Sequence, residues 1–353
     1  MNPRFLKFAR QFTTPADDGQ TAEPLNDKPT DMSNSTPTHW HILGAGSMGC
    51  LWAARLAQAG HRVTLLLRDE TALQRFQGNG SRILLMDNNE QQRVKLDAQI
   101  IGQVTKPIDH LIVATKAHQA EIAVLSVATQ LAPDANLLLL QNGMGIQQKI
   151  SSLLAAQRVW IGVSTEGAFC PEYFTVIHAG HGTTRIGSLA NTTTNTQPLR
   201  AVLHCALDTC HEADIETALW QKLLVNCAIN PLTAIYRCRN GELLTDSERH
   251  AHLQAVCTEL AQLVTAIGRT GLAEGLIERA EQVARITAKN RSSMLADVDE
   301  KRETEIDFIT GYVCRLAEQY GLSMPVNSAL LQQIKAITED NNVHNSVHNN
   351  HRN

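Results

Sequence analysis

Gly44, Gly46 and Gly49 form G-x-G-x-x-G inside "HWHILGAGSMGCLWAARLAQAGHRVTLLLRD", His39 to Asp69. Few features limit a chain as strongly, because the spacing works in only one local structure. The first glycine permits a tight turn out of a strand. The second lets backbone approach a pyrophosphate, and the third lets the following helix pack on the sheet. The phosphate then rests on the helix N-terminus, where backbone N–H groups are free. The bare motif is common. Here the required context surrounds it: an apolar run "HILGA" before, helical spacing of Cys50, Leu51, Ala54 and Leu56 after, and Gly60 as the stop before "RVTLLLR". A dinucleotide site at Gly44, Ala45, Gly46, Ser47, Met48 and Gly49 is the expectation.

The rest of the first half repeats this alternation. "RILLM" and "RVKLDAQ" predict a strand pair, and "HLIVATKAHQ" a strand leading to a loop. A helix is expected over residues 120–131, then the buried strand "ANLLLLQNGMG". "VWIGVSTEGAFC" and "YFTVIHAGHGTTRIG" alternate as an antiparallel extension, and "PLRAVLHCAL" predicts a closing helix. Short connections between alternating strands and helices indicate an α/β fold, a Rossmann-type doubly wound parallel sheet. The pattern changes near residue 211, beyond which amphipathic helices run to about Thr338, broken at "CRNGEL" and "GRTGLAEG". The expected organisation is a disordered extension over 1–38, a dinucleotide-binding domain over 39–210, an all-helical C-terminal domain over 211–338 and a disordered tail over 339–353. Met32 lies just before the first strand and would serve as a start. The tail is rich in His and Asn, and its His344, His348 and His351 lack a fold around them, so no metal site is expected there.

Composition excludes some function classes. The net charge of −4 argues against nucleic acid as a partner on electrostatic grounds. No apolar run approaches a membrane span. The eight cysteines contain no C-x-x-C pair, which fits a reduced, cytoplasmic protein with bystander thiols.

Three positions at strand ends are candidates to meet a ligand in the expected crevice. Arg68 ends the second strand, where an acid would accept from the ribose of NAD; an arginine suits a 2′-phosphate, so NADPH is the expected cofactor. Asp69 follows directly, so an acid stands one position away. Lys116 and Asn142 each follow an apolar strand, although a loop lysine and an ordinary Asn-Gly turn would look the same.

In "LWQKLLVNCAINPLTAIY", Lys222, Asn226 and Asn230 lie at i, i+4 and i+8, on one face of an otherwise apolar helix. Buried polar groups without partners are costly. Three in register suggest a polar cavity, with a lysine able to donate a proton to a developing alkoxide; an inter-helix hydrogen-bond network is the alternative. Pro231 is expected to kink this helix. In "NRSSMLADVDEKRETEIDFITGY", Ser292 and Ser293 suit a helix N-cap, and Asp297 with its acidic neighbours reads mostly as a solvated face. Glu305 borders the apolar side and is the candidate partner for Lys222.

Together "GAGSMG", "TKAHQ", "LLLQNGMG", "LWQKLLVNCAINPLTAIYRCRNGEL" and "NRSSMLADVDEKRETEIDFITGY" closely resemble the 2-dehydropantoate 2-reductase (ketopantoate reductase) family, over roughly residues 39 to 335. The resemblance implies reduction of ketopantoate to (R)-pantoate with NADPH, on the route to pantothenate and coenzyme A. It implies Lys222 as general acid, paired with Glu305, and Asn142, Asn226, Asn230 and Ser293 around the substrate. Arg68, Lys116, Asn142 and Glu305 are implied on the cofactor side with the glycine turn. The implied partner is a small 2-oxo acid, for a monomer or homodimer.

Overall fold

The fold is that of a computed structural model, which describes residues 37–154, 158–189 and 207–349, with side chains to residue 339. The chain runs β1 (His39–Leu43), α1 (Ser47–Gln58), β2 (Arg62–Leu67), α2 (Glu70–Gly78), β3 (Arg82–Asp87), β4 (Glu90–Lys95), β5 (Asp97–Ile100) and β6 (Ile108–Val113). It continues through α3 (Ala117–Val127), β7 (Leu131–Leu139), α4 (Ile146–Leu153), β8 (Arg158–Ser164), β9 (Gly167–Glu172), β10 (Thr175–Gly180), β11 (Thr184–Gly187) and β12 (Thr209–His211). Helices follow: α5 (Ile215–Tyr236), α6 (Ser247–Ala266), α7 (Leu276–Ile286), α8 (Ser293–Asp299), α9 (Thr310–Gln319) and α10 (Pro325–Asn349).

The main sheet has the order β12-β11-β8-β7-β6-β1-β2-β5. From β8 to β5 every pairing is parallel, while β11 runs antiparallel to β8. The apolar runs read as buried strands are these central ones: Leu65, Leu111, Ile112, Val113 and Leu137 are wholly buried. After β1 the chain moves to β2 on one side, then returns to β6 on the other. That reversal opens a crevice at the carboxyl ends of β1 and β6, where open α/β sheets bind ligands.

The strand pair β3–β4 and the hairpin β9–β10 do not simply extend this sheet. They join through a parallel β10–β3 pairing into a second sheet, β4-β3-β10-β9. α1 lies between the two sheets, which is why Gly49 to Leu56 are buried without a break. Arg55, on what the sequence presents as an outer face, bonds there to Asp87 and to His178 Nδ1 at 3.0 Å. Asp87, His178 and His181 bring ligand atoms within 4.8 Å of one another, with the Arg55 guanidinium against them.

α5 is the central rod of the helical half, packed by α6, α7, α8 and α10. Its N-terminus is capped by Asp214, which accepts from Thr217 N at 3.1 Å. Pro231 sits inside the helix, which continues to Tyr236. One core joins the halves: Leu139 and Ile161 of the sheet pack with Ile215, Leu219 and Leu223 of α5. One boundary differs from expectation, and two expected segments go untested. The closing helix expected at "PLRAVLHCAL" and the extension over residues 1–36 fall outside the described residues. α10 runs to Asn349, past the boundary drawn at 338, because no glycine or proline follows Pro325 to stop it. No helix among the described residues is long and apolar enough to cross a membrane.

Candidate functional site

The glycine turn has the geometry its spacing requires. Gly44 has φ +106°, a conformation L side chains avoid, and a Cβ there would stand 2.8 Å from Thr115 N. A Cβ on Gly49 would fall 1.8 Å from Gly44 O, so only glycine lets α1 close on the turn. Gly46 differs: a Cβ there would meet nothing within 4 Å. Its surroundings are open, as a phosphate approach needs. α1 starts at Ser47 with Gly46 as N-cap, no capping side chain and no acid in its first turn. Uncapped N–H groups and an unopposed helix dipole favour an anion. The pairing of Leu43 with Leu66 brings Arg68 alongside this turn. Its side chain is 88% exposed and donates Nε to Asp69 at 2.9 Å. Asp69 is occupied as the N-cap of α2, accepting from Ala72 N at 2.8 Å. The neighbouring acid is thus engaged by a helix end, and the arginine is the exposed charge. These features fit a dinucleotide.

Across the crevice, Glu305 is 5% exposed and held on both oxygens. Oε1 accepts from Ala117 N at 3.0 Å, at the start of α3, and Oε2 accepts from Asn142 Nδ2 at 3.0 Å. A carboxylate is favoured at a helix N-terminus. The turn holding Asn142 is locked in place. Gly143 has φ +80°, a Cβ there would be 2.2 Å from Phe308 O, and Met144 N donates to the same oxygen at 2.8 Å. The Asn-Gly pair is therefore a clamp between the sheet and the segment after Glu305.

Lys116 follows β6 and reaches Asp297 at 2.5 Å, with Glu305 Oε2 at 4.0 Å. Asp297 is 2% exposed and also receives Arg302 Nε at 3.1 Å. This corrects the reading of Asp297 as part of a solvated face. Met294, Asp297 and Val298 share one face of α8, all buried. The spacing i, i+3, i+4 with two apolar neighbours was the available signal.

Lys222 lies on α5, half-buried and densely surrounded. Burial pulls its ammonium down to about 8, against the opposing pull of Glu305, with Arg185 of β11 adding to the depression. The expected Lys222–Glu305 partnership is thus electrostatic. Both Glu305 oxygens are bonded elsewhere, and Lys222 makes no ion pair among the described residues. Asn226 is half-buried and Asn230 is 7% exposed, on the same helix face. The Thr233 hydroxyl meets Asn230 O at 2.9 Å and Ser292 Oγ at 2.7 Å. Ser292, not Ser293, is the N-cap of α8, accepting from Leu295 N at 3.0 Å. Ser293 is left exposed as the first residue of that helix. The Thr233–Ser292 contact went unread, because a lone hydroxyl in an apolar helix and a cap give no sequence signal of meeting.

The arrangement offers an anion cradle, a fixed buried carboxylate, a paired lysine and a second lysine whose proton is loosely held. Residues 40–191 match the family described as "Ketopantoate reductase PanE/ApbA", and residues 214–338 match "Ketopantoate reductase PanE/ApbA C terminal". The chain is 38% identical to the 2-dehydropantoate 2-reductase of Vibrio cholerae over 84% of its length and 97% of that protein. The structure of a probable 2-dehydropantoate 2-reductase from Bacillus subtilis aligns with a TM-score of 0.72 at 30% identity, covering 85% of this chain and 99% of that one. A D-mandelate dehydrogenase bound to NADH and anilino(oxo)acetate shares the fold, with a TM-score of 0.79 at 23% identity, over 86% of this chain and all of that one.

Proposed function

The chain belongs to the ketopantoate reductase family of oxidoreductases, and from that premise we propose that it reduces 2-dehydropantoate to (R)-pantoate with NADPH, a step toward pantothenate and coenzyme A. The observation that carries the reading is Lys222: a lysine on the cleft side of α5, depressed to about 8 and without an ion pair among the described residues. A donor with its proton affinity near working pH is suited to general acid catalysis.

When bound, a reduced nicotinamide would supply the hydride for the carbonyl carbon. The glycine turn and the first turn of α1 hold the pyrophosphate, and Arg68 takes the 2′-phosphate through charge-assisted hydrogen bonds. Lys222 Nζ donates its proton to the carbonyl oxygen as charge develops there. Glu305, rigid in its bonds to Ala117 and Asn142, keeps enough proton on Lys222 by its negative charge. Asn226 and Asn230, with Ser293 at the start of α8, orient the substrate's hydroxyl and carboxylate. Lys116 supplies a fixed positive charge on the cofactor side.

The test is the loss of reduced-nicotinamide absorbance with purified protein. Ketopantoate is set against other 2-oxo acids, including aryl ones, and NADH against NADPH. Fast oxidation selective for ketopantoate and NADPH is the expected result. Binding of NADPH with turnover of an aryl or short-chain 2-oxo acid instead would keep the cradle and overturn the substrate.

A further inference from the structure

β3 and β10 run side by side in the second sheet, and their register sets Asp87 opposite His178. His181 stands just past the end of β10. The two imidazoles lie against each other with centroids 4.0 Å apart. His178 Nδ1 is 3.8 Å from Asp87 Oδ2, and His181 Nε2 is 2.8 Å from Asp87 Oδ1. Two imidazole nitrogens and a carboxylate thus converge, with ligand atoms within 4.8 Å of one another.

The neighbours of His178 fix its tautomer. Arg55 Nη2 stands 3.0 Å from Nδ1. A guanidinium only donates, so Nδ1 accepts and carries the lone pair. The ring proton is therefore on Nε2, which donates to Glu166 Oε2 at 2.6 Å. The side chains of His178 and Glu166 are each 2% exposed, and Gly182 N donates to the same Glu166 oxygen at 3.0 Å. Histidines that bind metals share this arrangement: a carboxylate holds the far N–H and leaves the other nitrogen's lone pair for the ion.

We propose that Asp87, His178 and His181 form a binding site for a divalent cation of the zinc class, which ties β3 to β10. Two imidazoles and one carboxylate suit zinc, with water in the fourth position. Magnesium and calcium prefer oxygen ligands alone. Zinc holds each ligand atom at about 2.1 Å. Atoms already this close shut on it by small rotations, chiefly of His181, whose side chain is 53% exposed. His181 then carries its proton on Nδ1, a tautomer that an exposed ring reaches through water. Arg55 is the cation that meets these groups in this structure, bonding both Asp87 and His178. Its Nη1 has a separate hold on Gln58 Oε1 at 3.0 Å, and Nη2 gives way to the entering ion. The two carboxylates of Asp87 and Glu166 against one guanidinium leave the cluster net negative, which favours a dication. Arg55 belongs to the last turn of α1, and the glycine turn opens the first. The cation site therefore does not depend on the dinucleotide reading.

The experiment titrates chelator-stripped, full-length protein with zinc chloride by calorimetry and follows Tm with and without zinc. His344, His348 and His351 of the tail could also hold zinc, so the same chain carrying His344→Ala, His348→Ala and His351→Ala is the reference. It should bind a single zinc and melt higher with it, as any ion bound only to the folded state requires. On that background His181→Ala, at an exposed position, should lose the rise in Tm and at least the roughly tenfold in affinity that removing even an outer partner costs. Arg55→Gln should bind zinc roughly tenfold tighter, because a like charge has left. Zinc binding that disappears with the tail histidines overturns the site, as does undiminished binding by His181→Ala. Arg55→Gln binding no tighter overturns the placement of the ion where the guanidinium stands. A reference protein that takes up no zinc leaves Arg55 as the cluster's resident cation and ends the proposal.

Discussion

Lys116 and Lys222 both feel Glu305, yet their surroundings differ. Lys116 ends a strand run in the sheet half and closes on Asp297 at 2.5 Å. Lys222 rises from the centre of a core helix with no carboxylate in contact among the described residues, and burial brings it down to about 8. A cation locked to a buried carboxylate is a fixed charge, good for holding an anion. A cation that is desolvated and felt only at a distance by its counter-charge gives up its proton readily. On the proposed function, the same residue type binds in one place and reacts in the other.

The largest expected effect separates the two. Lys222→Ala should lower kcat by about a thousandfold, within the range for losing a general acid, while NADPH affinity changes little. Lys116→Ala should do the reverse in kind, weakening cofactor binding with a smaller loss of turnover. Steady-state rates beside fluorescence titrations decide it; equal losses in both columns for Lys222→Ala would remove the division of labour.

Breaking the Lys116 pair is expected to act on stability. Removing one partner of a buried ion pair costs about 3 to 5 kcal/mol. The Lys116 side chain is 33% exposed, and water there relieves the orphaned charge. Asp297→Asn should therefore sit at the low end, at about 3 kcal/mol, read as a lower urea midpoint with unchanged slope. A neutral result would mean that Lys116 finds Glu305 or solvent equally well.

A pH profile sharpens the other half. If Lys222 must be protonated, kcat is full below its folded-state value and falls as pH rises through about 8. Glu305 raises that value, so Glu305→Gln should shift the fall to lower pH. Lys116 variants should leave its position alone. A profile flat to pH 10, roughly the ordinary lysine value, would rule out the proton assignment.

Legibility in the sequence followed how local each feature is. The glycine turn and the 222-226-230 stripe are written within a dozen residues each, and periodicity alone exposes them. Arg55 was unreadable: its partners Asp87 and His178 lie 32 and 123 positions away, and only the β10–β3 pairing brings them over α1. Nothing in α1 marks it as a helix covered on both sides. Asp297 was misread for a related reason, since a run of acids looks solvated unless one asks which member shares a face with Met294 and Val298. The Glu305 contacts span 188 and 163 positions. Its apolar flank announced burial, but which donors would bind it depended on how the helical half docks.

Arg68 is the mildest test and the one that isolates the cradle from the cleft. Its present bond to Asp69 is an exposed ion pair, and solvent leaves such pairs worth little. Swinging from Asp69 to a 2′-phosphate therefore costs little, and Asp69 keeps its bond to Ala72 N either way. The gain is a charge-assisted contact open to solvent, which puts Arg68→Ala at roughly a tenfold loss of NADPH affinity. NADH lacks the extra phosphate and should bind as before. Raising salt should shrink the NADPH preference of the unaltered protein toward that of Arg68→Ala, because exposed charges are screened. Lys222→Ala, by contrast, should keep the full preference. A variant without Arg68 that still favours NADPH tenfold, on the order the contact predicts, would hand the phosphate to another donor near Gly46 and leave the cleft assignments untouched.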